Sequence, residues 1–180
     1  MKVRTKIMMI VMFFLIESCN FCKETDLFVT FPESMDVFCI KDSIQLSSID
    51  SNKRLKYKLL VFYDSIGCFD CKLKEMTAWA NMLDYYDRMH ANCKIIFILS
   101  PSAQDYKSVY NYLSNYCFDY PIYLDSSNSF SNNNSFLYDK KHRNNTILLG
   151  KDNKVLISKG NVLHEYKTFN LINNYINKNE

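Results

Sequence analysis

Residues 57–71 read Tyr57-Lys58-Leu59-Leu60-Val61-Phe62-Tyr63-Asp64-Ser65-Ile66-Gly67-Cys68-Phe69-Asp70-Cys71, and their order decides the fold. The first seven are β-branched, aromatic and mostly apolar, the mark of a central strand buried on both faces. Asp64-Ser65-Ile66-Gly67 then reads as a turn. Beyond it Leu73, Met76, Ala80 and Leu83 recur at helical spacing, which predicts a helix over residues 69–89 with one buried face.

The chemistry sits at the junction. A thiolate, not a thiol, attacks a disulfide, so a working cysteine needs its charged form favoured. A helix N-terminus offers unpaired N–H groups and a partial positive charge. Cys68 falls at that place, and Cys71 returns within one turn, near enough to close a local disulfide. Cys68 is the candidate nucleophile and Cys71 the candidate resolving thiol.

Outward from this unit, Lys94–Leu99 reads as a second buried strand, ended by Ser100-Pro101-Ser102. A helix running to about Cys117 follows, with Tyr106, Val109, Tyr110 and Leu113 on one side. Residues 121–124 make a short third strand, and the Ser/Asn-rich stretch 125–135 is read as a loop or frayed helix. Strands at 146–149 and 155–158 flank Gly150-Lys151-Asp152-Asn153-Lys154 as a hairpin. The last helix is expected over about 165–177, and a short first strand at 38–40. Alternating strands and helices closed by a hairpin and a helix imply an α/β sheet covered on both faces.

The chain has 180 residues, a length that favours one domain. Only three glycines are present, and neither a GxGxxG nor a P-loop pattern occurs, so a glycine-rich phosphate cradle is excluded. Of the net charge of +3, +2 belongs to residues 1–18 and +1 to the rest. That leaves no basic surface for a phosphate backbone, and no nucleic-acid partner is expected. Lys53, Arg54, Lys56 and Lys58 are read as a solvated turn before a strand.

Lys2, Arg4 and Lys6 precede an apolar run from Ile7 to Ile16, which is too short for a bilayer span of roughly 20 residues. A basic start, a short apolar core and a small residue compose a secretory signal. The run closes on Leu15-Ile16-Glu17-Ser18-Cys19, which resembles a bacterial lipoprotein signal, where the cysteine is lipidated and becomes the new N-terminus. The expected organisation is a signal peptide at 1–18, a tether at 19–37 and one domain at 38–180. Cys19 is the expected lipid attachment and the membrane anchor. Export would place the chain in a bacterial cell envelope, facing the periplasm or exterior, where disulfides persist.

Seven cysteines stand at 19, 22, 39, 68, 71, 93 and 117. The two C-x-x-C pairs lie too far apart for a zinc ribbon. Lys72, not His, follows Cys71, so the haem-attachment pattern is absent. The pairing of Cys22, Cys39, Cys93 and Cys117 stays open, with Cys93 and Cys117 read as small apolar filler. His90, His142 and His164 show no metal-ligand spacing and are read as surface residues, and Trp79 as core or its rim. No metal and no cofactor is expected.

With these pieces in place, the chain resembles the thioredoxin superfamily, most of all its exported, membrane-tethered, TlpA-like group. The resemblance covers residues 38–178, from Leu59–Tyr63 through Gly67-Cys68-Phe69-Asp70-Cys71 and Ile95–Leu99 to the hairpin Thr146–Leu156. It implies a thioredoxin-like α/β fold, a central mixed β-sheet flanked by helices on both faces. It also implies a thiol–disulfide oxidoreductase that reduces or exchanges disulfides of envelope proteins, acting as a monomer. Three positions depart from the group's pattern. Gly67 stands where a Trp usually precedes the first cysteine, Phe62 where a buried acid is often found, and Asn144 where a cis-proline precedes the hairpin. Asn144 and Asn145 are the expected substrate-binding positions beside the thiols. The alternative is a non-catalytic lipoprotein that keeps the fold as a binding or assembly module. Ser65-Ile66-Gly67-Cys68 resembles part of the peroxiredoxin Thr-x-x-Cys motif, but Val61 occupies the place of its proline.

Overall fold

The computed structural model describes residues 27–38, 45–47, 55–65, 68–116, 120–138, 146–158 and 162–179. Seven strands and four helices are found among them. In chain order they are β1 (Met35–Phe38), β2 (Gln45–Ser47), β3 (Tyr57–Tyr63), α1 (Phe69–Met89), β4 (Cys93–Leu99) and α2 (Tyr106–Tyr116). Then come β5 (Ile122–Leu124), α3 (Ser129–Asn133), a 3-10 turn (Ser135–Tyr138), β6 (Thr146–Gly150), β7 (Val155–Ser158) and α4 (Tyr166–Asn179). The strands form one mixed sheet in the order β2-β1-β5-β4-β3-β6-β7. Neighbours β3, β4 and β5 run parallel, and β6, β7, β1 and β2 join antiparallel. This is the α/β thioredoxin-like fold, with apolar layers on both faces of the sheet.

The sheet works because β3 is buried along its whole length, paired in parallel with β4 and antiparallel with β6. Alternate residues divide between two cores, as the two-residue period of a strand requires. Leu59, Val61 and Tyr63 enter the layer that also holds buried residues of α1, α2 and α4. Leu60 and Phe62 enter the layer closed by Phe130, Leu137 and the N-terminal Val29, Met35 and Val37. Phe62 meets the Phe130 ring at 5.5 Å.

The helix α1 buries Leu73, Met76, Trp79, Leu83 and Tyr86, successive steps of three or four residues. Trp79, rather than the expected Ala80, carries the third step: the indole packs edge-on against Phe97 of β4 at 5.5 Å, while Ala80 is exposed. Tyr85 of α1 meets Phe169 of α4 at 5.5 Å, which joins the two long helices on one face.

Four sequence expectations are corrected. The first strand lies at Met35–Phe38, earlier than 38–40, where Met35, Val37 and Phe38 are buried and Asp36 is partly exposed. Residues 27–37, read as part of the tether, pack on the sheet: Val29 is 2% exposed, and its N–H donates to the Asn153 carbonyl at 3.0 Å. Lys58 is not part of a solvated turn. It is 4% exposed, and its ammonium donates to the carbonyl of Lys151 at 3.0 Å and to Asn153 Oδ1 at 2.6 Å. His90 is not on the surface but 1% exposed at the C-terminus of α1. Among the described residues no helix is long and apolar enough to cross a membrane.

Candidate functional site

The site begins where β3 ends. Tyr63 is the last strand residue, Asp64 and Ser65 turn the chain, and Cys68 occupies the N-cap of α1 with extended backbone angles of φ −77° and ψ 99°. Its carbonyl accepts the N–H of Lys72 at 3.3 Å and so starts the helix. Its Sγ accepts the N–H of Cys71, also at 3.3 Å. That N–H is one of the four that a helix start leaves without an internal partner. The sulfur thus takes the role that Ser or Asp plays at ordinary N-caps. A thiolate here would receive a charge-assisted bond and the positive end of a 21-residue helix.

Cys68 and Cys71 are joined as a disulfide, with Cα atoms 5.3 Å apart, and both residues are exposed. The structure therefore brings together the two cysteines singled out by sequence. It presents them to solvent at the rim rather than burying them in the core. The only acidic residue in the first turn of α1 is Asp70, which is exposed. Lys72, the basic neighbour, forms an ion pair with the Asp64 side chain and donates to the Asp64 carbonyl at 2.7 Å. This pair ties the turn before the motif to the first turn of the helix.

A polar chain that sequence reading did not single out joins the end of β3 to α1. The Tyr63 hydroxyl donates to Glu75 Oε2 at 3.1 Å, and the Trp79 indole N–H donates to the same hydroxyl at 3.1 Å. The other carboxylate oxygen of Glu75 faces His164 Nε2 at 3.2 Å, just ahead of α4. Burial pushes the Tyr63 phenol well above its ordinary range, and the Glu75 charge adds to the shift, so the hydroxyl stays a donor. The signal available in sequence was spacing: Glu75 follows Cys71 by four residues, one helical turn along the same face.

Phe62, at the place of the expected acid, points to the opposite core and meets Phe130. Asn144, Asn145 and Cys19 lie outside the described residues, as do Cys22, Cys39, Cys117 and His142. Cys93 is buried at the start of β4, in line with its reading as apolar filler. No group of three or more metal-ligating side chains occurs among the described residues.

No protein-family profile matches the sequence, and no curated protein matches it. Solved structures do. Thioredoxin peroxidase I of Plasmodium yoelii superposes with a TM-score of 0.58 at 16% identity, over 86% of this chain and 89% of that one. The mitochondrial 2-Cys peroxiredoxin of Plasmodium falciparum gives 0.55 at 15%, over 84% and 93%. The thioredoxin domain of a thiol-disulfide oxidoreductase from Bacteroides vulgatus gives 0.54 at 14%, over 86% and 99%. At these identities the likeness establishes the fold. The molecule is a thioredoxin-fold protein with a Cys-x-x-Cys disulfide at the head of the helix that follows its central strand.

Proposed function

We propose that this protein is a thiol–disulfide oxidoreductase in which Cys68 attacks and Cys71 resolves. The observation that carries this reading is the exposed Cys68–Cys71 disulfide at the N-cap of α1. In the reducing direction, the Cys68 thiolate attacks a partner disulfide and forms a mixed disulfide, releasing one partner sulfur as a thiolate. Cys71 then displaces the second partner sulfur and re-forms the intramolecular bond. The partner gains two electrons and the cysteine pair loses two. The partners are disulfide- or thiol-containing proteins of a bacterial cell envelope, met by a monomer held on the membrane through lipidated Cys19. What supports the anchor is the basic start, the short apolar run and Ser18-Cys19. Several acyl chains on one cysteine would suffice for durable anchoring, at about 0.8 kcal/mol per buried methylene.

Insulin reduction by the full-length chain in detergent, with dithiothreitol as reductant, tests the chemistry. Activity is expected to vanish in Cys68→Ser, and Cys71→Ser is expected to accumulate a mixed disulfide. Mass spectrometry of the N-terminus of protein from membranes tests the anchor. A second reading, a non-catalytic binding or assembly module, is favoured by Phe62 in place of an acid. A rate equal to buffer, with a Cys68–Cys71 bond that resists dithiothreitol, would select it.

A further inference from the structure

We infer that the domain rests on an anionic bilayer surface by the end of the sheet where β3 begins, and so turns its cysteine pair away from the membrane. The inference rests on the lipidated Cys19 of the reading above and adds the orientation that an anchor alone leaves free. Strand direction defines two ends. Tyr57, the first residue of β3, pairs with Cys93 of β4 and with Gly150 of β6, so the starts of β3 and β4 and the β6–β7 turn lie together. The helices α1 and α4 run back to this end. The Tyr57 N–H donates to the Asn92 carbonyl at 3.0 Å, just beyond α1, and the Lys56 ammonium donates to the carbonyl of Asn179, the last residue of α4. The cysteine pair follows the other end of β3, whose seven residues hold the two ends about 20 Å apart.

The tether joins the domain at the first of these ends. The Val155 N–H donates to the Leu27 carbonyl at 2.9 Å, and Phe28 bridges Lys154, which fixes residues 27–28 beside the β6–β7 turn. Seven residues lie between Cys19 and Leu27, a reach of at most about 28 Å. With the cysteine end down, most of that reach would be taken up in passing the sheet. The surface at the tethered end suits a bilayer. Leu27 is 43% exposed, Phe28 47%, and Met89, the last residue of α1, 60%. The same end carries Lys56, Arg88, Lys94, Lys151, Lys154 and Lys178, all at least partly exposed, against Asp84, Asp87 and Asp152. Near the cysteine pair the balance reverses, with Asp64, Asp70, Glu75 and Glu165 against Lys72, Lys74 and Lys167. Apolar side chains enter the boundary between headgroups and acyl chains, and lysines beside them meet anionic headgroups. The consequence is that the pair meets disulfides presented from the aqueous compartment, not from within the bilayer.

The test uses the full-length chain purified from membranes and reconstituted into vesicles of phosphatidylcholine brominated on its acyl chains, with about 30% phosphatidylglycerol. Phe28→Trp and Tyr166→Trp place a fluorophore at each end. Tyr166 opens α4 and is 77% exposed, and the native Trp79 is fully buried and supplies a constant background. Bromine quenches only at contact, so the emission added by Phe28→Trp is expected to fall at least about twofold against unbrominated vesicles, and that added by Tyr166→Trp by less than about a tenth. Lys151→Glu together with Lys178→Glu is expected to remove about half of the quenching at Phe28→Trp. Equal quenching at both ends, none at either, or quenching that the double charge reversal leaves unchanged overturns the inference, and flotation of the protein with the vesicles then leaves the anchor standing. Failure to float overturns both. If Phe28→Trp fails to fold, acetylation of the wild type by a water-soluble reagent decides. Lys56, Lys151 and Lys178 should react at least about fivefold more slowly on vesicles than in nonionic detergent, while Lys74, Lys107 and Lys167 change by less than about twofold. A uniform change across both sets overturns the inference.

Discussion

The Trp79 indole N–H donates to the Tyr63 hydroxyl across 3.1 Å, joining the middle of the first helix to the last residue of the central strand. Burial holds the Tyr63 phenol well above its ordinary range, and burial does the same to Tyr86. The sign follows from proton counting. Above pH about 10 the unfolded chain releases these protons and the native state keeps them, so the native state binds more and stability falls as pH rises. Below pH about 10 both states are protonated and the contribution is fully present. Each group should cost about 1.4 kcal/mol per pH unit above that point. Urea midpoints between pH 9 and 11.5 check this, and Tyr63→Phe should flatten the slope by one proton. Titration of every tyrosine near pH 10 at 295 nm, with the fold intact, would contradict it.

His90 is 1% exposed, and neither ring nitrogen has a hydrogen-bond partner among the described residues. The ring sits among Tyr85 and Tyr86 at centroid distances of 5.8 and 5.2 Å. A buried polar group without a partner costs roughly 1–3 kcal/mol. His90→Phe should therefore stabilise the protein by about 1 kcal/mol. His90→Ala, which opens a cavity, should destabilise it by about 2 kcal/mol. Opposite signs in paired urea melts are the expected outcome. Equal losses in both would mean that the imidazole is held by an ordered water.

Asp125 closes β5 onto α3. Its carboxylate accepts the N–H groups of Phe130 and Ser131, each at 2.9 Å, and the Ser131 hydroxyl at 2.6 Å, while only 1% exposed. Asn134 fixes the other end through Thr30, whose N–H and carbonyl it binds at 2.8 Å. Asp125→Ala leaves two buried N–H groups without an acceptor and should cost about 3 kcal/mol. Asp125→Asn keeps one acceptor and should cost less than half of that. Chemical denaturation checks the order, and equal costs would contradict it.

These side-chain networks mark where sequence reading stopped. The strand at 57–63 and the helix at 69–89 were legible, because a mostly apolar, β-branched and aromatic run and a long one-sided helix have no rival periodicity. The disulfide pair was legible for the same reason: it sits where those two patterns meet. The helix Ser129–Asn133 was hidden in a Ser/Asn-rich stretch because it is held by Asp125 and Asn134, not by an apolar stripe. The segment 27–37 has little periodicity, and only long-range pairing with Asn153 and Lys154 reveals it. Lys58 and His90 misled because charge and polarity ordinarily mark surface, whereas here the chain folds partners over one and aromatic rings over the other. Glu75 carried a readable spacing from Cys71, but its link to Tyr63 and His164 exists only in three dimensions.

Asp70 sets the last expectation, the poise of the cysteine pair. It lies in the first turn of α1, between the two cysteines, and is exposed. A carboxylate beside a sulfur disfavours the thiolate, and a less stable reduced form makes the disulfide less oxidising. Lys72 has its nearest carboxylate partner in Asp64, ahead of the motif. The reduction potential of the pair should therefore lie well below the roughly −120 mV of the strongest periplasmic oxidants. Two charges about 6 Å apart at a wet surface interact by somewhat under 1 kcal/mol, so Asp70→Asn should raise the potential by roughly 20 mV. Equilibration with glutathione buffers, read by trapping thiols for mass spectrometry, measures both values. A wild-type potential near −120 mV, or a fall on removing the Asp70 charge, would show that the helix terminus outweighs the carboxylate at this site.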